Sequence, residues 1–356
     1  MTLSTKRIVC LLPEKELFSL ATSQLISDME VICRELDFSV VFSKSLFRAF
    51  SKILFGKYRL YIVPYPGVLN PVSQSFVLGF LKMIIGYGLR FLSFLGKRIV
   101  FYVYDLPIEQ NIFVYGKCPK EKFSRVVEKM FLSSASFLLV FNKLNATYLI
   151  RRYGLDKVKF EYFELLDYGL NISTTHEKKE HSKEKIRVIY SANFINPRVQ
   201  KAVKNFLKDC GETTGVEFIL VGNGSNFLGF ENKANFRMLN EIAPSALSSL
   251  YAKCHFGLVL KCSIYYEFGT TSKFSSYLHS GLPVLVPENY AYLAGLIRKY
   301  SCGIVFRNCS DLVKKLFGLS QAEYLMLSRN AQLLGYKIRN GYFFKRVILK
   351  ILKKMF

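Results

Sequence analysis

The chain alternates short apolar segments with segments of helical periodicity, and it does so twice. The first series starts with the strand-length run Arg7–Leu12 and the helical spacing of Glu14–Leu36, and it ends with the strand-length run Lys159–Phe163. Strands that are apolar at nearly every position and alternate with helices are typical of a parallel sheet covered on both faces. The sequence therefore predicts an α/β fold of the doubly wound kind.

A polar segment separates the two series. Residues 173–185 read STTHEKKEHSKEK and contain no apolar side chain, as is typical of a solvated linker. The alternation restarts at the strand Arg187–Ser191. Two such domains would form a cleft at the carboxyl ends of their strands, where open α/β sheets bind ligands. We predict an N-terminal Rossmann-like domain over 1–172, a linker over 173–185, a C-terminal Rossmann-like domain over 186–335 and a helix over 336–356.

The charge and the cysteines limit the possible partners. The 356 residues include 50 Lys and Arg against 26 Asp and Glu, and the net charge of +24 points to an anionic partner. Nucleic acid, an anionic membrane face and a phosphorylated substrate all satisfy that requirement. The eight cysteines are scattered without a C-x-x-C pair, so we expect neither a zinc site nor a disulfide framework, and we expect a reducing compartment. We also expect no signal peptide and no clean membrane span.

A glycine turn follows one strand of the second series. Gly222, Asn223 and Gly224 come directly after the apolar run EFILV. Glycines at this point allow a phosphate or a ribose to approach the backbone, although a plain tight turn explains them equally well. Neither a full G-x-G-x-x-G fingerprint nor a G-K-[ST] loop is present, which disfavours an NAD-linked dehydrogenase and a P-loop NTPase.

A second candidate is the helix start at Thr271, Ser272 and Lys273. Hydroxyl side chains before an apolar-periodic segment are typical helix caps. The unpaired N–H groups of such a helix start favour an anion, and Lys273 adds a positive charge in the first turn. The alternative is a surface lysine above an ordinary cap.

The segment Lys273–Val286 resembles the K-x-x-x-Y-L-x-x-G-x-P-V-x-V block of GT-B glycosyltransferases. The best match is the bacterial subfamily of galactofuranosyl- and glucosyltransferases that act on surface polysaccharides and adhesins. Val188–Asn193 resembles the Y-x-G-N strand of the class, Leu220–Gly224 resembles its L-x-G-x-G turn, and Val103–Leu106 resembles its H-D strand end. The resemblance extends over residues 98–310.

The resemblance implies a GT-B fold of two Rossmann-like domains and a UDP-sugar donor. The positive charge of Lys273 and of the helix start would neutralise the leaving diphosphate, so we expect no metal and no cofactor. The expected nucleotide-sugar site comprises Asn193, Gly222, Asn223, Gly224, Tyr265, Tyr266, Thr271, Ser272, Lys273 and Ser276.

Retaining members of the class carry a glutamate pair around the G-x-P-V strand. The matching positions here fall near Phe274 and Ala294, so the enzyme is either inverting or binds its donor differently. We expect an inverting enzyme, which needs a general base. Asp105 is the candidate base because it ends a strand at the predicted cleft, and the alternative is that it caps the following turn. Glu14 and Glu109 are the reserve candidates.

The C-terminal segment GYFFKRVILKILKKMF predicts a basic amphipathic helix. Phe344, Ile348 and Ile351 share one face, and lysines and an arginine share another. Such a helix suits an anionic membrane surface, and packing back onto the N-terminal domain is the alternative. We predict membrane contact, with the apolar helix Phe76–Phe94 as a second contact.

We therefore expect a glycosyltransferase that moves a hexosyl unit, galactofuranosyl or glucosyl, from a UDP-sugar to a lipid-linked glycan. Its role would be in O-antigen or capsule synthesis, at the cytoplasmic face of the bacterial plasma membrane. The alternative is a non-catalytic, membrane-associated partner subunit that resembles a glycosyltransferase. A nucleic-acid partner is not expected, because no recognition motif accompanies the charge.

Overall fold

The computed structural model describes residues 8–15, 20–73, 75–168, 185–210, 215–224, 235–240 and 242–355. The chain divides into two compact units, Met1–Asp167 with Asn340–Phe356, and Tyr168–Arg339. The first unit thus includes the C-terminal segment that the sequence sets apart. The predicted linker 173–185 lies outside the described residues apart from Lys185.

The first unit is built on a six-stranded parallel sheet of order β2-β1-β3-β4-β5-β6. The strand order reverses between β1 and β3, and loops there leave the carboxyl edge of the sheet. The strands are β1 Ile8–Pro13, β2 Ser39–Ser43, β3 Leu60–Tyr65, β4 Arg98–Val103, β5 Phe137–Val140 and β6 Lys159–Tyr162. The helices are α1 Leu20–Glu35, α2 Leu46–Phe55, α3 Phe76–Phe94, α4 Pro107–Tyr115, α5 Glu121–Ser133 and α6 Lys143–Tyr153.

The second unit holds another six-stranded parallel sheet, of order β12-β11-β10-β7-β8-β9. Counted within the unit this is the 3-2-1-4-5-6 order of dinucleotide-binding folds, with its switch point between β7 and β10. The strands are β7 Ile186–Ser191, β8 Val216–Val221, β9 Phe236–Leu239, β10 Phe256–Leu258, β11 Val284–Pro287 and β12 Gly303–Phe306. The helices are α7 Pro197–Cys210, α8 Pro244–Tyr251, α9 Ser272–His279, α10 Ala291–Tyr300, α11 Cys309–Gly318 and α12 Gln321–Arg339.

The burial of the strand side chains explains why the strands could be predicted from the sequence. Every position of β1 and of β3 is buried, as expected for parallel strands with helices on both faces. The predicted doubly wound α/β fold is confirmed.

The structure differs from the prediction at α4. Pro107 begins a helix there rather than a turn, because proline is well suited to the first helical position.

One cysteine pair also departs from the prediction. Cys210 at the end of α7 and Cys309 at the start of α11 form a disulfide in the second unit. The two residues lie 99 positions apart, so no local spacing could have paired them.

The C-terminal helix, α13 Tyr342–Met355, packs within the first unit. Its apolar side chains Phe343, Phe344, Val347, Ile348, Ile351 and Leu352 are buried. Asp167 accepts hydrogen bonds from the backbone N–H groups of Phe343 and Phe344, at 3.3 and 2.6 Å. Lys350 and Lys354 both form ion pairs with Glu161. The prediction that this helix contacts a membrane is corrected, because the apolar face it requires is covered by the protein.

Candidate active site

The turns after β7 and β8 bring several predicted residues together. Gly222 has a φ of +143°, and a Cβ atom at this position would lie 1.8 Å from the carbonyl oxygen of Ala192. Backbone hydrogen bonds tie the two turns, with Ala192 donating to Val221 at 2.9 Å and Phe194 donating to Asn223 at 2.8 Å. Only glycine fits such a close backbone approach. The predicted residues Asn193 and Gly222–Gly224 therefore form one surface at the carboxyl edge of the second sheet.

The side chains of these turns remain accessible. Asn193 and Asn223 are exposed, and Gly224 is half-buried. Asn193 is held by a local hydrogen bond, in which its Oδ1 atom accepts from the N–H of Ile195 at 3.1 Å. The turn is thus rigid in its backbone and open towards a ligand.

The start of α9 lies at the same edge, where the chain leaves β10. Thr271 is the helix cap, and its Oγ1 atom accepts from the N–H of Lys273 at 3.1 Å. The Oγ1 atom of Thr270 is buried without a hydrogen-bond partner among the described residues. Ser276 donates its hydroxyl proton to the carbonyl of Ser272 at 2.8 Å, so that proton is used within the helix. The predicted cap at Thr271–Lys273 is thereby present.

Lys273 lies against the end of β7. Its Nζ atom is 5.8 Å from the centre of the Tyr190 ring, and the Tyr190 hydroxyl is 3.7 Å from the sulfur of Cys262. Burial lowers the pKa of Lys273, and the nearby Cys262 thiol opposes that shift. No carboxylate forms an ion pair with Lys273 in the part of the chain that the structure describes. A half-buried ammonium without a carboxylate partner is suited to an anionic ligand.

Tyr277 fixes the position of Lys273, and sequence reasoning gave it no role. The buried Tyr277 lies one turn after Lys273, and its hydroxyl accepts from the N–H of Ser191 at 3.0 Å. The Ser191 hydroxyl lies 3.2 Å from the Tyr277 hydroxyl and 3.0 Å from that of Tyr251. Gly257 makes room, because a Cβ atom there would lie 2.4 Å from the Tyr277 ring. The i, i+4 spacing of Lys273 and Tyr277 was the available signal.

Tyr265 and Tyr266 lie in the short 3₁₀ helix Ile264–Phe268, within the connection from β10 to α9. Both are half-buried, and their ring centres are 5.9 Å apart. The ring of Tyr266 also lies 6.0 Å from that of the buried Tyr290. These contacts hold Tyr266 in place.

Asp105 follows β4 at the carboxyl edge of the first sheet. Its Oδ1 atom accepts from the N–H of Leu106 at 2.8 Å, as the turn-cap alternative requires. Burial raises the pKa of Asp105 to about 7, with a further contribution from the charge of Glu109, while the Leu106 hydrogen bond opposes the shift. A carboxylate whose pKa lies near neutrality suits a general base.

The reserve candidate Glu109 does not suit a base. It is fully buried, forms a 2.7 Å ion pair with Arg125 and accepts from the Tyr148 hydroxyl at 2.5 Å. It is thus held inside the first unit by Arg125 and Tyr148, out of reach of an acceptor, and this candidate is corrected. Glu14 remains accessible after β1, where it forms a 3.5 Å ion pair with Lys44.

The sequence did not predict the acidic cluster around Glu109. Glu128 is also buried, where it accepts hydrogen bonds from the hydroxyls of Tyr65, at 2.7 Å, and of Tyr153. Burial and the neighbouring Glu109 raise the pKa of Glu128 to about 7. Among the described residues, no group of three His, Cys, Asp or Glu side chains is arranged to hold a metal ion.

Comparison with known proteins gives sequence matches that include this site. Residues 188–351 match the family model described as the glucosyltransferase 3-like C-terminal domain. The chain is 24% identical over 232 residues to the beta-1,6-galactofuranosyltransferase WbbI of Escherichia coli strain K12, covering 62% of this chain and 64% of that protein. It is 29% identical over 85 residues to glucosyltransferase 3 of Streptococcus gordonii, covering 24% of this chain and 25% of that protein. The matches thus span less than two thirds of either relative.

Solved structures extend the likeness to both units. Sucrose-phosphate synthase from Thermosynechococcus elongatus aligns with a TM-score of 0.65 at 12% identity, over 98% of each chain. Anabaena Alr3699/HepE, in complex with UDP and glucose, aligns at 0.57 and 13% identity, over 97% of this chain and 99% of that one. T4 phage BGT, in complex with UDP-glucose, aligns at 0.55 and 13% identity, over 96% and 99%. The predicted GT-B fold and the predicted resemblance to bacterial glycosyltransferases are confirmed.

Proposed function

We propose that the chain is a glycosyltransferase that transfers a hexosyl unit from a UDP-sugar, and that Lys273 marks its donor site. The observation that carries the proposal is the position of this half-buried lysine. It lies at the start of α9, beside the switch point of a 3-2-1-4-5-6 sheet, and its pKa is lowered by burial.

The proposed donor site binds the diphosphate of the UDP-sugar. Lys273 and the positive end of the α9 dipole would bind the diphosphate in the ground state. They would bind it more strongly as negative charge builds on the leaving UDP, which lowers the barrier to transfer. Gly222 allows the backbone after β8 to approach the nucleotide, and the accessible Asn193 and Asn223 would contact it.

The names of similar proteins support a UDP-hexose as the donor. The HepE structure holds UDP and glucose, and the T4 enzyme holds UDP-glucose. The similar sequences are named a galactofuranosyltransferase and a glucosyltransferase. We therefore propose UDP-galactofuranose and UDP-glucose as the first donors to test.

Asp105 would deprotonate the acceptor hydroxyl. A single displacement at the anomeric carbon inverts its configuration, and the carboxylate takes the proton of the attacking hydroxyl. The pKa of about 7 gives Asp105 a substantial ionised fraction at neutral pH together with useful basicity. Glu14 is the reserve base because it remains accessible at the same edge of the first sheet.

The acceptor we propose is a lipid-linked glycan of O-antigen or capsule synthesis, reached from the cytoplasmic face of the plasma membrane. The net charge of +24 supports a site next to anionic lipid. A non-catalytic partner subunit is less favoured, because such a subunit has no need for a half-buried lysine at the start of α9 and a titratable aspartate after β4.

A donor panel tests this function. Purified protein is incubated with radiolabelled UDP-galactofuranose, UDP-galactose, UDP-glucose or UDP-N-acetylglucosamine and bacterial membrane lipids, and label in the lipid phase is counted. We expect transfer from one hexose donor, and loss of about 10²–10⁴ in rate for Asp105→Asn. Absence of both transfer and UDP release with every donor would contradict an enzymatic role.

A further inference from the structure

Helix α3 presents a continuous apolar stripe on its outer face. The stripe comprises Phe76, Phe80, Ile84, Tyr87, Phe91 and Phe94, which recur at intervals of three or four residues and are all exposed. Phe94 is 86% exposed, and Phe55 at the end of the neighbouring helix α2 is 83% exposed. Large contiguous apolar surfaces of this kind mark binding sites.

The inner face of α3 is fixed to the first unit along most of its length. A Cβ atom at Gly79 would lie 2.0 Å from the Phe123 ring, and one at Gly86 would lie 2.8 Å from Met130, so glycines allow α5 to approach closely. Gly88 contacts Phe50 of α2 in the same way. The one lysine of the inner face, Lys82, donates to the carbonyl of Val72 at 2.8 Å.

Helix α3 is long and apolar enough to cross a membrane, and it is the one such helix among the described residues. Because its inner face is packed against α2 and α5, the helix is held along the body of the unit. That arrangement presents the outer stripe sideways to a surface, as in interfacial helices.

The charge around the stripe points to the occupant. From Phe38 to Tyr104 the chain contains no Asp or Glu, and it contains the nine basic residues Lys44, Arg48, Lys52, Lys57, Arg59, Lys82, Arg90, Lys97 and Arg98. Arg48, Lys57 and Arg90 are exposed on or next to α2 and α3. A second copy of this chain would bring the same positive charge to the contact and would be repelled. An anionic lipid surface matches both the charge and the apolar stripe.

We propose that the outer faces of α2 and α3 dock the first unit onto an anionic membrane, with the aromatic stripe at the headgroup boundary and the basic residues on lipid phosphates. This proposal adds a docking surface to the proposed function. It rests on the proposed function only because a lipid-linked acceptor must be reached at a membrane. The docking surface thereby moves from α13, whose apolar face is covered, to α2 and α3.

Vesicle sedimentation of the full chain tests the proposal. One set of vesicles contains phosphatidylcholine alone, and the other contains equal parts of phosphatidylcholine and phosphatidylglycerol. We expect binding to the anionic vesicles that weakens with salt, and a loss of at least about tenfold in partitioning for Phe80→Ser/Phe91→Ser. The matched control is Leu333→Ser/Tyr336→Ser on α12, where both side chains are comparably exposed, and it should bind as wild type.

A charge variant gives an independent measurement if the apolar variant folds poorly. Arg48→Gln/Lys57→Gln/Arg90→Gln should lose about fivefold in partitioning per residue, whereas Lys201→Gln/Lys204→Gln/Lys208→Gln on α7 should not. The proposal is overturned if wild type ignores anionic vesicles, or if both variants on α2 and α3 bind like their controls. It is also overturned if light scattering shows that the stripe joins two copies instead. UDP release without vesicles is measured in parallel, so that loss of docking is distinguished from loss of the enzyme.

Discussion

At the scale of single residues, Gly222 gives the strictest test of the turn after β8. Replacing it with alanine would force a Cβ atom to within 1.8 Å of the Ala192 carbonyl oxygen, at a φ of +143°. We expect Gly222→Ala to lower the free energy of unfolding by about 2 kcal/mol or more and to weaken UDP binding, as measured by denaturant titration and calorimetry.

The control is Gly295→Ala in α10, where a Cβ atom would meet nothing within 4 Å. Alanine should stabilise this helix by up to about 1 kcal/mol and leave UDP binding unchanged. Equal behaviour of the two variants would show that the Gly222 turn is not held by the Ala192 contact.

The raised pKa of Asp105 predicts how the rate of sugar transfer depends on pH. Because a base must be ionised and the pKa of Asp105 is about 7, the rate at limiting acceptor should fall about tenfold per pH unit below that value. The rate is measured at saturating UDP-sugar. A rate that stays constant between pH 5 and 8 would show that Asp105 is not the general base and would leave Glu14 as the candidate.

The same shift has a consequence for stability. A carboxyl whose pKa is raised by folding holds its proton more tightly in the folded chain, so stability is lost as pH rises from about 4 to 7. Asp105→Asn keeps an acceptor for the Leu106 N–H and removes this loss. We expect the variant to melt at a higher temperature than wild type at pH 8, and near the wild-type temperature at acidic pH.

Residues that act through local geometry could be predicted from the sequence, whereas those that act through tertiary contacts could not. The cap at Thr271 and the glycine turn follow from neighbouring residue types. Glu109 was misjudged because its partner Arg125 lies on another helix. Tyr251 and Ser191 are 60 residues apart, and only the fold brings their hydroxyls together.

At the scale of elements, α4 and α5 are joined by the Glu109–Arg125 ion pair. Glu109 is fully buried, and the Arg125 side chain is 14% exposed. We expect Arg125→Met to cost about 3–5 kcal/mol, because it leaves a buried carboxylate without a counter-charge. Arg152→Met removes the longer, exposed pair with Glu121 at 3.7 Å and should cost less than about 1 kcal/mol, as urea titration would show. Similar losses from both would contradict a structural role for the buried pair.

The C-terminal helix shows why an amphipathic pattern alone cannot identify the surface that covers it. Its apolar face and its lysines fit a membrane or a protein surface equally well. Contacts decide between them: Phe344 packs edge-on against Tyr102 at 5.1 Å, and Glu161 pairs with two of the lysines.

We expect Phe344→Ala to lower the free energy of unfolding by about 3–5 kcal/mol. The exposed Lys353→Ala on the same helix should change it by less than about 0.5 kcal/mol. If Phe344→Ala were as stable as Lys353→Ala, α13 would not be an integral part of the first unit.

At the scale of the whole molecule, the alternation of apolar strands and helices was sufficient to predict two parallel sheets. Their strand orders were beyond the sequence pattern, because pairing depends on which helices cross over which face of a sheet. The order in the second unit is what places Lys273 beside the end of β7, at the switch point where such sheets bind ligands. The assignment of a donor site therefore depends on the sheet as much as on the residue.

The most direct measurement is the affinity of UDP for Lys273→Ala, by isothermal titration calorimetry. Loss of a charge-assisted contact to the diphosphate should weaken binding by about tenfold or more, while the folded state and its melting temperature stay near wild type. Lys204→Ala, which removes an exposed lysine from α7 of the same unit, should bind UDP as wild type does. If Lys273→Ala bound UDP as tightly as Lys204→Ala, Lys273 would not bind the diphosphate and the proposed donor site would be contradicted.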